Sequence, residues 1–261
     1  MSILDQLARH ARERVEAEEQ AVPLRVLRAR CEVLGPGDAD RFASAIRRPG
    51  LSLICEVKKA SPSKGIISAD FPYLEIARSY ESAGADAISC LTEPKWFLGS
   101  DEIFREIRSA VRTPMLRKDF TVSAYQIYQA RLMGANAVLL ICSILEEETL
   151  RAYLALCRSL GLAALTETHD EEEIRKALRC GARIIGVNNR NLKDFSVDFE
   201  NAARLRSLVP ADCLFVAESG VKGPEDAAFL RELGADAALI GEALMRSDDR
   251  AGMIAAMREA P

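Results

Sequence analysis

GADAISCL, beginning at Gly84, recurs in altered form as GANAVLLIC from Gly134, GARIIGVN from Gly181 and GADAALIG from Gly234. The copies start 50, 47 and 53 residues apart. A glycine closing a helical segment is a common left-handed stop, and an apolar β-branched run behind it suits a strand covered on both faces. Each copy therefore marks a helix-to-strand joint. One further strand candidate precedes each copy: LSLICEV (51–57), PMLRKDF (114–120), LAALTET (162–168) and CLFVAES (213–219). Eight strands result, with helical stretches between them.

Those stretches carry helix starts, namely Ser100 before DEIFREIRSAV, Asp170 before EEEIRKALR, and Pro224 opening PEDAAFLREL. Strands that alternate with helices pair in parallel through right-handed crossovers, giving an open doubly wound sheet or a closed barrel. An open dinucleotide-binding sheet wants GxGxxG after its first strand, whereas KKASPSKG follows Val57. Eight near-equal units with a two-unit repeat favour closure. The expectation is an α/β protein, an eightfold (βα) TIM barrel over residues 49–261, and 261 residues suit a class that runs to about 250. Residues 1–48 stand apart as an N-terminal helical extension packed on the barrel. Ile3, Leu4, Leu7, Ala11 and Val15 form a helical stripe there, and shorter helices are predicted around Leu24–Cys31 and Ala39–Ile46.

With 35 Lys and Arg against 39 Asp and Glu, the formal charge of −4 excludes a surface built to neutralise nucleic acid throughout, so any phosphate binding is local. Seven cysteines, scattered and without a CxxC pair, suggest neither disulfides nor a thiolate zinc site and imply a reducing, cytoplasmic compartment. Two distant histidines, His10 and His169, cannot make a multi-histidine metal site, and the expectation is no metal. The N-terminus is too charged for a signal peptide, and no stretch nears the roughly 18 apolar residues of a membrane span.

In a barrel the site forms at the C-terminal strand ends. Alternation puts Glu56 and Lys58 on one face with Ile54, Lys118 with Leu116, Glu167 with Leu165, and Glu218 with Val216. If those faces turn inward, two lysines and three glutamates meet at one mouth, an arrangement suited to general acid–base work. The competing reading is that strand ends are polar because loops begin there. Arg117, one position out of phase, is expected to face the outer helices. SGVKGPED (219–226) and IGEA (240–243) offer backbone amides and a helix start suited to a phosphate, although such glycines also suit ordinary turns. KKASPSKGIISADF (58–71) reads as a mobile lid that meets an anion or as a solvated basic loop.

Seven segments in order, EVKKASPSKG (56–65), SCLTEPKWFLGS (89–100), LRKDF (116–120), LTET (165–168), GVNNRNL (186–192), VAESG (216–220) and LIGEALM (239–245), resemble the indole-3-glycerol phosphate synthase family of tryptophan biosynthesis. The resemblance runs from about Ile3 to the C-terminus. It implies a carboxy-lyase that converts 1-(2-carboxyphenylamino)-1-deoxyribulose 5-phosphate to indole-3-glycerol phosphate, carbon dioxide and water without a metal or organic cofactor. It implies catalytic roles for Glu56, Lys58, Lys118 and Glu167, with Asn188 as polar partner; Glu218 joins them from the strand-end pattern. Phosphate contacts fall on Lys58, Ser219, Gly220, Gly241 and the backbone of Glu242, and contacts to the aryl portion on Ser61, Phe97, Phe120, Arg190 and Leu192. The family commonly has lysine at Ala60 and in some members serine at Glu242, so the Glu242 carboxylate is expected to point away from a phosphate.

The chemistry needs an acid on the ketone during ring closure and an acid and a base for dehydration. Lys118 is assigned the first, Glu167 the base or the hydroxyl-leaving partner in dehydration, and Lys58 a role shared between phosphate and catalysis, held by Glu56; the reverse assignment of the lysines stays open. Arg190 would pair the substrate carboxylate through its planar fork. Trp96 and His169 are expected to be structural. The partners expected are a small phosphorylated substrate and neither nucleic acid nor membrane, for a monomer or weak homodimer; docking with other tryptophan-pathway enzymes stays open. Two alternatives compete. A phosphoribosylanthranilate isomerase would be expected to use a Cys/Asp pair, for which Cys55 faces the wrong way. A non-catalytic sugar-phosphate binding barrel would keep the glycines and lose the charges.

Overall fold

The computed structural model describes residues 2–191 and 196–259. Among them, eight parallel strands close into a barrel: β1 (Ser52–Val57), β2 (Ala87–Leu91), β3 (Met115–Lys118), β4 (Ala137–Ile141), β5 (Ala163–Thr168), β6 (Ile184–Asn188), β7 (Leu214–Glu218) and β8 (Ala237–Ile240). Each strand pairs with its neighbours in chain order, and β8 returns to β1 with Ala237 beside Ser52 and Ile240 beside Cys55. The expected barrel is the fold that forms.

The repeated motif has a physical reason. Gly84, Gly134, Gly181 and Gly234 all have φ between +76° and +87°, a left-handed turn in which a side chain is strained. Two residues on, the side chains of Asp86, Asn136 and Asp236 accept the backbone N–H of Leu53, Met115 and Phe215 on the preceding strand, at 2.8, 3.0 and 2.7 Å. The motif thus ends a helix and pins the start of the next strand to its neighbour. The GARI copy has Arg183 at that place, paired instead with Asp212.

Three helices precede the barrel: α1 (Ile3–Ala21), α2 (Leu24–Leu34) and α3 (Ala39–Ala45). Phe42 and the adjoining Ile46 are fully buried in the interior cluster with Ala87, Ala137, Ala163, Leu214 and Ala237, so α3 plugs the N-terminal end of the barrel. Small alanines at that end leave room for the plug, while Ile54, Leu116, Leu165, Val216 and Leu239 fill the interior above it. Following helices alternate with the strands: α4 (Tyr73–Ser82), α5 (Asp101–Ala110), α6 (Ala124–Leu132), α7 (Glu147–Ser159), α8 (Glu171–Arg179), α9 (Asn201–Arg206), α10 (Pro224–Glu232), α11 (Glu242–Arg246) and α12 (Arg250–Glu259). The read starts hold: Ser100 and Asp170 cap α5 and α8 through the N–H of Ile103 and Glu173, and Pro224 opens α10.

At the opposite mouth lies α1. Arg14 donates both ways to Asp119 at 2.8 Å, and Asp119 also accepts from Thr92 at 2.7 Å. This buried junction carries Ile3, Leu4 and Leu7, the start of the helical stripe, into the wall of the cavity above the strands. Arg117 turns outward as expected, meeting Asp101 at 2.9 Å and the Gln126 carbonyl at 2.9 Å.

Candidate active site

A cavity of about 860 Å³ opens over the C-terminal strand ends. Period-2 alternation delivers Glu56, Lys58, Lys118, Glu167 and Glu218 to its floor, together with Asn188 from β6. Lys118 lies 3.1 Å from Oε2 of Glu167 and 3.4 Å from Oε2 of Glu218. Asn188 donates to Oε1 of Glu167 at 3.1 Å, and its own Oδ1 accepts the Arg190 N–H at 2.9 Å. Lys58 meets Glu56 at 2.5 Å.

Burial and pairing set the proton inventory. Burial opposes the charge on Lys118, but Glu167, Glu218 and Glu56 outweigh it and hold the ammonium more firmly than usual. Burial also pushes the carboxyls of Glu167 and Glu218 toward protonation. For Glu167, Lys118, His169 and the Asn188 amide overcome it and leave a carboxylate. Glu218 accepts no such amide, its Oε1 has no hydrogen-bond partner, and its carboxyl is pushed up to about 8. The floor therefore holds an ammonium, a carboxylate and a neutral carboxylic acid together at neutral pH, which is an acid–base set with both proton donors and an acceptor.

Two glycines make the space. A Cβ on Gly186 would lie 2.2 Å from Oε1 of Glu218, and one on Gly241 would lie 2.3 Å from Oε1 of Glu56 and 2.8 Å from Nζ of Lys58. Gly241 thus shapes the lysine pocket as well as the turn after β8.

The rim brings the remaining candidates together. Phe97 and Phe120 face each other with ring centroids 6.1 Å apart on one side, and Ser61 and Arg190 line the same cavity. Phe97 is placed by Glu93, whose carboxylate accepts the N–H groups of Lys95, Trp96 and Phe97 at 2.7 to 3.0 Å. Ser219, Gly220, Gly241 and Glu242 lie across the opening. Ser219 and Gly220 are both left-handed, at φ +67° and +97°, and the Asn189 amide donates to the Ser219 carbonyl at 3.0 Å. Gly220 serves packing too, because a Cβ there would approach Phe199 and Val197 within 2.8 and 3.0 Å. Leu192 lies outside the described residues.

A family model described as "Indole-3-glycerol phosphate synthase" matches residues 4–257. Relatives of that name include one from Ruminiclostridium cellulolyticum, 49% identical over 98% of both chains, and one from Endomicrobium trichonymphae, 52% identical over 84% of both. This chain belongs to the indole-3-glycerol phosphate synthase family. At the level of fold alone, it is similar to a thiamine phosphate pyrophosphorylase from Pyrococcus furiosus, with TM-score 0.62, 18% identity, and coverage of 82% of this chain and 96% of that one.

Within this family member Glu242, His169 and Trp96 each have specific neighbours. Glu242 remains at the cavity rim, where Arg246 at 3.2 Å and Lys64 at 3.5 Å neutralise it. Lys64 comes from the loop after β1, which contains a short antiparallel hairpin, Ala60–Ser61 with Gly65–Ile66, held to the loop after β2 by the Ala60 N–H and the Phe97 carbonyl at 3.3 Å. His169, expected to be structural, stands 3.5 Å from Glu167, with Glu173 on its other side. Its signal was available: residues 167 and 169 share a strand face by the same alternation that placed Glu56 beside Lys58. Trp96 packs edge-on against His10, 5.3 Å away.

Proposed function

We propose that this chain closes the indole ring, converting 1-(2-carboxyphenylamino)-1-deoxyribulose 5-phosphate to indole-3-glycerol phosphate, carbon dioxide and water. One observation carries the reading: Nζ of Lys118, set between the carboxyl groups of Glu167 and Glu218, on the floor of a cavity that also presents Lys58 and two aromatic rings.

The aryl carbon bearing the carboxylate attacks the ketone carbon while Lys118 donates a proton to the carbonyl oxygen, so that an alcohol forms as the carbon–carbon bond closes. Loss of carbon dioxide leaves its electron pair in the ring and restores aromaticity. The alcohol then leaves as water, which takes a proton from an acid of the floor, while the adjacent carbon gives up a proton to Glu167. Because the substrate carboxyl enters ionised and leaves as carbon dioxide, each turnover consumes one proton overall. Lys58, steadied by Glu56, holds the phosphate with the backbone amides of Ser219, Gly220, Gly241 and Glu242. Phe97 and Phe120 bound the aryl ring, Ser61 lies at its edge, and Arg190 pairs the carboxylate with its fork. Residues 1–48 serve as an extension that completes the cavity wall. A reducing cytoplasm suits seven buried cysteines that form no disulfide.

The isomerase alternative needs a Cys/Asp pair at the mouth. Cys55 is instead fully buried in the layer between strands and outer helices, with burial pushing its thiol far up. The test is to add the carboxyphenylamino-deoxyribulose phosphate to the purified protein and follow indole fluorescence. Growth of that signal supports the reading, and its absence refutes it.

A further inference from the structure

We propose that His169 is a positioning residue of this site, held by Glu173 so that its imidazolium keeps Glu167 ionised and aimed into the cavity. The inference rests on the proposed ring closure, because that reaction needs Glu167 as a base.

The geometry is a chain of carboxylate, imidazole and carboxylate at the end of β5. Nδ1 of His169 lies 3.1 Å from Oε2 of Glu173, and the His169 backbone N–H donates to the same oxygen at 2.8 Å. Glu173 is fixed in turn by the Ser143 hydroxyl, which donates to its other oxygen at 2.6 Å, and by the Asp170 cap of its own N–H. From the far side, Asn201 donates to the His169 carbonyl at 3.2 Å. The ring is left one direction to face: Nε2 is buried, makes no hydrogen bond, and lies 3.5 Å from Oε1 of Glu167. That same oxygen receives the Asn188 amide, while Lys118 holds the other.

The charged and titratable groups around the ring are Glu173 from α8, Glu167 from β5 and, farther off, Glu218 from β7; Ser143 and Asn201 add neutral contacts. Burial disfavours the imidazolium, but the Glu173 hydrogen bond and the two nearer carboxylates outweigh it, so the ring holds its proton above the usual histidine range. A second cation beside Glu167 matters because Lys118 is shared with Glu218. Once Lys118 gives its proton to the substrate, His169 is the positive neighbour that remains to keep Glu167 a base.

The test compares the parent with Glu173→Gln and His169→Gln in kcat against pH and in histidine NMR titrations. Loss of the imidazolium lets Glu167 hold a proton to higher pH, so the acid limb of the profile should move upward. In His169→Gln, which has no imidazolium at any pH, we expect activity near pH 6 to fall about tenfold more than activity near pH 8, with KM little changed, while Glu173→Gln serves the titration arm because its ring would still be largely charged near pH 6; a tenfold change corresponds to 1.4 kcal/mol. A merely structural role would lower activity equally at both pH values, and that result, or none, overturns the proposal. The NMR arm needs no turnover: His169 in the parent should titrate above the ordinary histidine value and fall toward it in Glu173→Gln. An unchanged His169 titration overturns the proposal even if the parent closes the ring, whereas an inactive parent with the expected titration contradicts only the ring-closure reading and supports the chain of groups.

Discussion

Lys118, at the end of β3, reaches past β4 to place its ammonium 3.1 Å from Oε2 of Glu167 at the end of β5. Two buried groups so placed define each other's charge. Glu218, 3.4 Å away on the other side, is then the carboxyl that keeps its proton, since one ammonium does not stabilise two buried anions equally.

Glu218 should therefore make stability fall as pH rises. Its carboxyl is held at about 8 in the folded chain, against about 4.3 in an unfolded one. Between those values the native state keeps a proton that the unfolded state has released. The stabilising contribution is full below the lower value and is lost as pH rises through the upper. Glu218→Gln removes it, so between about pH 5 and pH 9 its Tm should fall less than the parent's by several degrees, 1 kcal/mol being about 2–4 °C for a chain of this size. Parallel curves for the two proteins would mean that the raised carboxyl lies elsewhere.

Gly241→Ala should weaken phosphate binding without unfolding the barrel. The backbone there is not left-handed, so alanine is tolerated locally, but its Cβ would occupy the place of the Glu56 and Lys58 head groups. The expected outcome is a rise in substrate KM of about tenfold or more with an unchanged circular dichroism spectrum. Parent-like binding would remove Lys58 from the phosphate site.

Arg190→Ala should separate substrate from product. A charge-assisted pair is worth roughly 1.5–3 kcal/mol, so affinity for the carboxylated substrate should drop about tenfold or more. Product, which has lost the carboxylate, should bind within about twofold of the parent. Equal losses for both would assign Arg190 to the structure of its turn.

Much of this was legible because it is local. The Gly-Ala joints state their own turn chemistry, and period-2 alternation carried Glu56, Lys58, Lys118, Glu167 and Glu218 to one mouth. The same rule extended two residues past Glu167 reaches His169, but its pairing with Glu173 on the next helix, which sets its role, exists only after the turn folds. The protonation of Glu218 was equally hidden, since it follows from a distance to Lys118 and from burial rather than from any motif. Leu4 and Leu7 read correctly as one face of a helix, but only the Arg14–Asp119 junction shows that this face walls the cavity.

Replacing Lys118 with alanine, and measuring kcat beside the dissociation constant for product, addresses the role of the ammonium itself. A general acid acting on the ketone contributes on the order of 10²–10⁴ in rate. Lys118→Ala should lose at least that much kcat while binding indole-3-glycerol phosphate within a few-fold of the parent, because phosphate and aryl contacts are made by other residues. A variant that keeps its kcat and loses only affinity would show that Lys118 holds substrate, and the proton for ring closure would have to come from another group.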